Sequence, residues 1–178
     1  GQLNYMVNDW IDRTDRGGGD IYAQSDKNAE DIGSNQFPAG GMALMDYFNR
    51  QFNSDFTVSV KKAFGQDFSA SLLLGHNYFT LNQNNRFMQG NSFLAPDFYD
   101  ISNVASFLSS ETKVRKKTMA FYGDLDLSYK RALYLTITGR SEESSTVPLK
   151  NNTFFYPSAS LGWVFSEMES LKNSDILS

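Results

Sequence analysis

Acidic side chains are the groups in this sequence most able to do chemistry. Glu142 and Glu143 are adjacent, but a glycosidase needs two carboxyl groups that face one substrate across roughly 5 to 9.5 Å, and neighbours on an extended chain point in opposite directions. His76 is the only histidine, and the chain has no cysteine, which excludes multi-histidine metal sites and thiolate chemistry. We therefore predict no catalytic residue, no metal site and no cofactor, and we do not expect an enzyme. A calcium ion held in a surface loop by Asp20, Asp26, Glu30 and Asp31 stays open, although their spacing lacks the EF-hand pattern.

A second acidic pattern lies in "YGDLDLSYK", residues 122 to 130. Here Asp124 and Asp126 alternate with Leu125 and Leu127, which is the period of two that a strand with two unlike faces produces. The pattern predicts a strand whose polar face carries Tyr122, Asp124 and Asp126 and whose other face is apolar.

A third acidic pattern combines carboxylates with aromatic rings. It consists of Asp97, Phe98, Tyr99 and Asp100, and Trp10 has acidic neighbours of the same kind. Sugar rings stack on aromatic faces and their hydroxyls bond to carboxylates, so these residues are candidates for contact with a ligand or a partner. The alternative is that they only pack their own loop.

The elements that must position these residues are strands. Period-two alternation predicts about five of them, with short connections at 65–67 and 130–132. Three segments lack such a period and are predicted to be loops: residues 1–40, residues 80–116 with a helical turn near 101–108, and residues 141–153.

Composition excludes two classes of protein. The 16 basic and 20 acidic residues are well mixed and give a net charge of -4, so no basic footprint for nucleic acid exists and no nucleic-acid partner is expected. No segment approaches the roughly 20 apolar residues that a membrane-spanning helix needs. An aromatic content of 15% favours strands instead.

Two ways of covering the apolar strand faces remain open. A soluble β-sandwich, with a carbohydrate-binding or structural function, would bury them against a second sheet. A transmembrane barrel would expose them to lipid, alternate short turns with long loops, and carry aromatic girdles about 9 to 11 residues apart. The connections and the aromatic spacing favour the barrel. Because the smallest membrane barrels close with about eight strands, the chain is expected to be part of a larger one.

The segments "YGDLDLSYK", "LYLTITGRSEESS" and "FYPSASLGWVFSE" resemble, in this order, the barrel of the SusC/RagA-type TonB-dependent outer-membrane transporters of Bacteroidetes. The resemblance implies an all-β antiparallel meander within a 22-stranded barrel, with long extracellular loops and short periplasmic turns. It also implies import of oligosaccharides or peptides, a SusD-like surface lipoprotein as partner, and energy from TonB acting through an internal plug.

The resemblance places each segment of the chain relative to the outer membrane. Segments 65–67, 130–132 and 166–176 are expected to be periplasmic, and segments 1–40, 80–116 and 141–153 extracellular. Tyr122, Asp124 and Asp126 would face the lumen, and the apolar face would contact outer-membrane lipid. Residues 1–178 are expected to be a partial barrel that lacks the plug and the TonB-contacting segment.

Overall fold

The structure, a computed structural model, describes residues 1–165. These residues form one sheet of seven strands in which each strand pairs with the next along the chain, so the predicted all-β antiparallel meander is confirmed. The strands are β1 (Gln2–Asn8), β2 (Ile11–Ile32), β3 (Ala39–Phe64), β4 (Phe68–Phe93), β5 (Val104–Tyr129), β6 (Leu133–Ser144) and β7 (Thr153–Trp163). Within this part of the chain no helix is long and apolar enough to cross a membrane.

Two of the three predicted loops are largely strand, the third is shortened at its start, and the expected number of about five strands was too low. Residues 1–40 contain β1 and β2, the segment 80–116 is reduced to a connection at 94–103 between β4 and β5, and β6 extends to Ser144. The helical turn predicted near 101–108 is a single 3-10 turn at Ile101–Asn103. Both faces of β2 are mostly exposed, so its sequence needs no apolar stripe and gives no period-two signal.

The strand pattern predicted elsewhere is confirmed. β3 and β4 are joined by the turn at 65–67, and β5 and β6 by the turn at 130–132. Lys130 and Arg131 both have positive φ, at 50° and 53°, as the two central residues of a tight hairpin turn do. The predicted periplasmic segment 166–176 lies outside the described residues.

The chain forms two compact units. Unit 1 consists of Gly1–Gly18, Asn53–Phe79 and the described residues from Lys117 on. Unit 2 consists of Gly19–Phe52 and Thr80–Lys116. The strands β3, β4 and β5 each contain 26 residues and contribute to both units.

In unit 1, the register of β5, β6 and β7 fixes which side chains share a face. Leu125 lies opposite Ile137, which lies opposite Ala159. Of the two neighbouring rows on the same face, one is Leu127, Leu135 and Leu161 and the other is Gly123, Gly139 and Pro157. These apolar side chains are not covered: Ile137 is 45% exposed and Leu161 is 76% exposed. Only Met42, Ala120 and Ala132 are buried hydrophobic residues among residues 1–165, so this part of the chain contains no core of a soluble sandwich.

Candidate functional site

Aromatic side chains line the edge of unit 1 that carries the three short turns. Phe64 and Phe68 flank the turn at 65–67 with ring centroids 5.7 Å apart, and the rings of Trp163 and Phe165 are 6.4 Å apart. We call this group the short-turn cluster. Its members, all exposed, are Trp10, Phe64, Phe68, Tyr129, Trp163 and Phe165.

Trp10 lies in this cluster and not in a long loop. It occupies the connection between β1 and β2, and the Nζ atom of Lys62 lies 5.6 Å from the centroid of its ring. The prediction that Trp10 contacts a ligand assumed that residues 1–40 form a loop, whereas most of them form the paired strands β1 and β2.

Tyr122, Asp124 and Asp126 share one face of β5, opposite to Leu125 and Leu127. Asp124 pairs with Thr138, and Asp126 pairs with Thr136. The Thr136 hydroxyl donates a hydrogen bond of 2.6 Å to the Asp126 carboxylate. This face is polar along its length, because Arg140 and Tyr156 continue it beside Tyr122.

Tyr122 is held by close approach to Gly75 on β4. A Cβ atom at position 75 would lie 2.2 Å from Cζ of the Tyr122 ring, so the ring rests directly on the glycine backbone. On its other side the Arg140 guanidinium lies 5.8 Å from the ring centroid, a distance at which cation–π attraction acts. Only glycine allows the ring this position.

The Gly75→Val substitution tests this contact. We expect it to lower the free energy of unfolding by about 1 to 3 kcal/mol, because the new side chain must displace the Tyr122 ring. In a Tyr122→Ala background the same substitution should cost little, since the clash is gone. Denaturant titration of both pairs of variants measures the difference, and an equal cost in the two backgrounds would contradict the contact.

Two of the four predicted contact residues in unit 2 form hydrogen bonds within that unit, Asp100 in its own loop and Tyr99 to the end of β2. The Asp100 carboxylate accepts hydrogen bonds from the backbone N–H of Ser102, at 2.9 Å, and from its hydroxyl, at 2.7 Å; the backbone bond is the main cause of a lowered Asp100 pKa. The Tyr99 hydroxyl donates to the carboxylate of Asp31, and this bond raises the pKa of Tyr99. These contacts favour the alternative that both residues pack the loop.

Asp97 and Phe98 remain available on the same loop. Phe98 is exposed. The preceding residue, Asp97, has a φ of 57°, so the chain turns sharply just before Phe98. Their contact with a ligand stays a prediction.

Unit 2 contains a cleft that the sequence analysis did not predict. It has a volume of about 410 Å³, within the roughly 300 to 1,000 Å³ of small-molecule sites. Three of its side chains are exposed aromatic rings, and the others are four amides and one carboxylate. We call it the amide–aromatic cleft; its lining residues are Tyr22, Gln24, Asp26, Tyr47, Phe48, Asn49, Gln83 and Asn85.

Hydrogen bonds order the β2 side of this cleft. The Tyr22 hydroxyl donates to Oε1 of Gln24, and Nε2 of Gln24 donates to the Asp26 carboxylate at 2.7 Å. On β3, Oδ1 of Asn49 is buried and accepts no hydrogen bond from any of the described residues. A buried acceptor without a donor is costly.

A charged group that ties β4 to β5 in unit 2 is separate from the cleft. Glu111 accepts from Lys113 at 2.7 Å and from Arg86 at 3.0 Å. The hydrogen bonds from Lys113, Arg86 and Asn84 lower the pKa of Glu111 to about 2. Glu111, Lys113 and Arg86 are partly exposed and paired, which indicates a structural role.

Solved structures of a peptide transporter share this arrangement of strands. The structure of the RagAB peptide transporter matches with a TM-score of 0.88 and 13% sequence identity, over 98% of this chain and 20% of that one. The RagAB peptide importer in its closed-closed state matches with a TM-score of 0.87, 14% identity and coverages of 98% and 20%. The chain has the fold of a segment of RagAB. The RagAB peptide importer in its open-open state matches with a TM-score of 0.80 and 14% sequence identity, over 89% of this chain and 18% of that one.

The predicted resemblance to SusC/RagA-type transporters is thus confirmed for the fold. No protein-family model matches the sequence, and the search of curated proteins gave no match. The chain spans 18 to 20% of the RagAB chains it matches.

Proposed function

We propose that this chain is a segment of the transmembrane β-barrel of a SusC/RagA-type TonB-dependent importer in the outer membrane of a Gram-negative bacterium. The observation that carries the proposal is the uncovered apolar face of β5, β6 and β7 in unit 1. Tyr129 and Trp163 border this face at the short-turn edge, and Phe121 and Phe155, paired through Ser141, border it eight residues away along each strand. Aromatic girdles at both rims of an apolar band are typical of membrane barrels.

The unpaired edges of the sheet support a larger barrel. β1 and β7 each have one neighbour among the described strands. In hydrocarbon each unsatisfied backbone group costs several kcal/mol, so in the membrane both strands pair with strands beyond residues 1–165. Residues 1–178 would be a partial domain of the 22-stranded barrel that the resemblance implies, and Tyr122, Asp124 and Asp126 would face its lumen.

In this proposal the two ends of the strands lie on opposite sides of the membrane. The short turns are periplasmic, as in outer-membrane barrels generally. A tilted spanning strand needs about 9 to 11 residues, whereas β3, β4 and β5 have 26 each. The residues of these strands beyond the spanning length, and the connections at 33–38 and 94–103, are extracellular.

The cargo would pass through the barrel without chemical change, so the importer has no catalytic residue. The cargo class is oligosaccharides or peptides, a SusD-like lipoprotein closes over the extracellular side, and TonB acts through the plug outside this chain. The amide–aromatic cleft supplies the first cargo contacts, together with Asp97 and Phe98. Trp10 belongs to the periplasmic girdle and does not touch cargo.

Single cysteines test this topology, since the chain contains none of its own. Leu149, which is 88% exposed, lies in the connection between β6 and β7, and Gln66 lies in the turn between β3 and β4. In intact cells a membrane-impermeant maleimide should label Leu149→Cys, and it should label Gln66→Cys only after the outer membrane is permeabilised. Labelling of Gln66→Cys in intact cells at the rate of Leu149→Cys would contradict the proposal.

A further inference from the structure

Lys62 is the one charged side chain on the apolar row of β3 near the short turns. By alternation it shares a face with Val58, Val60 and Phe64, whereas its neighbour Lys61 lies on the opposite, polar face. A charge on a lipid-facing row is costly at the centre of a bilayer but not at its rim. Lys62 is two residues from the end of β3, so it lies at the rim.

Two aromatic rings surround the Lys62 ammonium. Its Nζ atom lies 5.6 Å from the ring centroid of Trp10 and 5.6 Å from that of Phe64, both within the range of cation–π attraction. No carboxylate among residues 1–165 forms an ion pair with it. Because an ammonium has three N–H donors and the rings accept none of them in full, the group is positioned to bind an anion.

We propose that Lys62, between Trp10 and Phe64, binds the phosphate of a phospholipid headgroup in the periplasmic leaflet. This inference rests on the proposed function, which places the short-turn cluster in that leaflet. A lysine stem lies along apolar surface while its ammonium reaches the polar layer, and tryptophan rings sit at the depth of the headgroups. The anion found at that depth is the lipid phosphate, so a phospholipid is the occupant that fits both the charge and the rings.

The test uses the full-length transporter purified in mild detergent with added phosphatidylglycerol. Lys62→Met keeps most of the stem and removes the charge, and Lys61→Met is the matched control on the opposite face. Native mass spectrometry counts the phosphatidylglycerol molecules retained by each protein. We expect retention to fall about fivefold in Lys62→Met, the size expected for one basic residue near an anionic lipid surface, and to be unchanged in Lys61→Met.

Other outcomes of the experiment overturn the proposal. Equal retention by the two variants would show that Lys62 is not the lipid site, and displacement of the lipid by inorganic phosphate would show that the site recognises free phosphate. A Lys62→Trp variant, which keeps an interfacial side chain but no charge, should behave as Lys62→Met does. Failure of the proposed function looks different: the unaltered protein would then stay monodisperse without detergent and retain no lipid.

Discussion

Replacing Ile137 by arginine is expected to lower the free energy of unfolding from a bilayer by about 2 to 4 kcal/mol. Ile137 lies between Leu125 and Ala159 in the middle row of the apolar face, halfway between the two aromatic borders. At this depth the guanidinium can reach neither headgroup layer without distorting the strand or the lipid. The measurement is denaturant unfolding of the full-length transporter in lipid vesicles.

The adjacent Thr138 gives a matched control for the Ile137→Arg substitution. Thr138 pairs with Asp124 on the polar face, so Thr138→Arg places the same charge beside a carboxylate, and we expect a change within about 0.5 kcal/mol. An equally small cost for both variants would contradict a lipid-facing row, because Ile137 is 45% exposed and an arginine there would be harmless in water.

Removing the exposed rings of the amide–aromatic cleft is expected to weaken cargo binding at least tenfold. Tyr22 and Tyr47 present their rings beside the amide groups of the cleft, and aromatic anchors that fill a site typically contribute about 2 kcal/mol each. The variant carries Tyr22→Ala and Tyr47→Ala together. Cargo is captured on the purified full-length transporter from separate pools of oligosaccharides and of peptides and counted by mass spectrometry.

Phe107 supplies the control for that variant. It is an exposed aromatic residue on β5 in unit 2 and does not line the cleft. Phe107→Ala should leave capture unchanged, and whichever pool loses signal in the cleft variant identifies the cargo class. Equal capture by the cleft variant, the Phe107 variant and the unaltered protein would show that the cleft does not contact cargo.

The sequence predicted β6, β7 and the unit 1 parts of β3, β4 and β5, because each has one apolar face. Leu125, Leu127 and Tyr129 alternate with polar residues, and lipid contact requires such a row as strictly as a buried core does. The turn after Tyr129 could be predicted as well, since a short polar segment separates two alternating runs. The same physics placed Asp124 and Asp126 together on one face.

Unit 2 could not be predicted in this way. β2 is exposed on both faces, so backbone pairing holds it and no period marks it. The amide–aromatic cleft depends on which residues of three strands become neighbours, and register between strands leaves little trace in a single sequence. The absence of a period also explains why residues 1–40 were predicted to be a loop. The one sequence signal for the cleft was that Tyr22, Gln24 and Asp26 are alternate residues and therefore share one face of a strand. The polar residues around them gave no apolar face against which that signal could be recognised.

These strands are proposed to form part of a membrane barrel within a longer transporter. The most direct measurement is the denatured intact mass of the source protein, together with its partition between the outer-membrane and soluble fractions. The 178 residues have a mass of 20.1 kDa, and the chain spans 20% of the RagAB chain. We therefore expect a source protein of about five times that mass, about 100 kDa, which is found in the outer membrane and needs detergent to stay in solution. A soluble protein of 20.1 kDa would contradict the account.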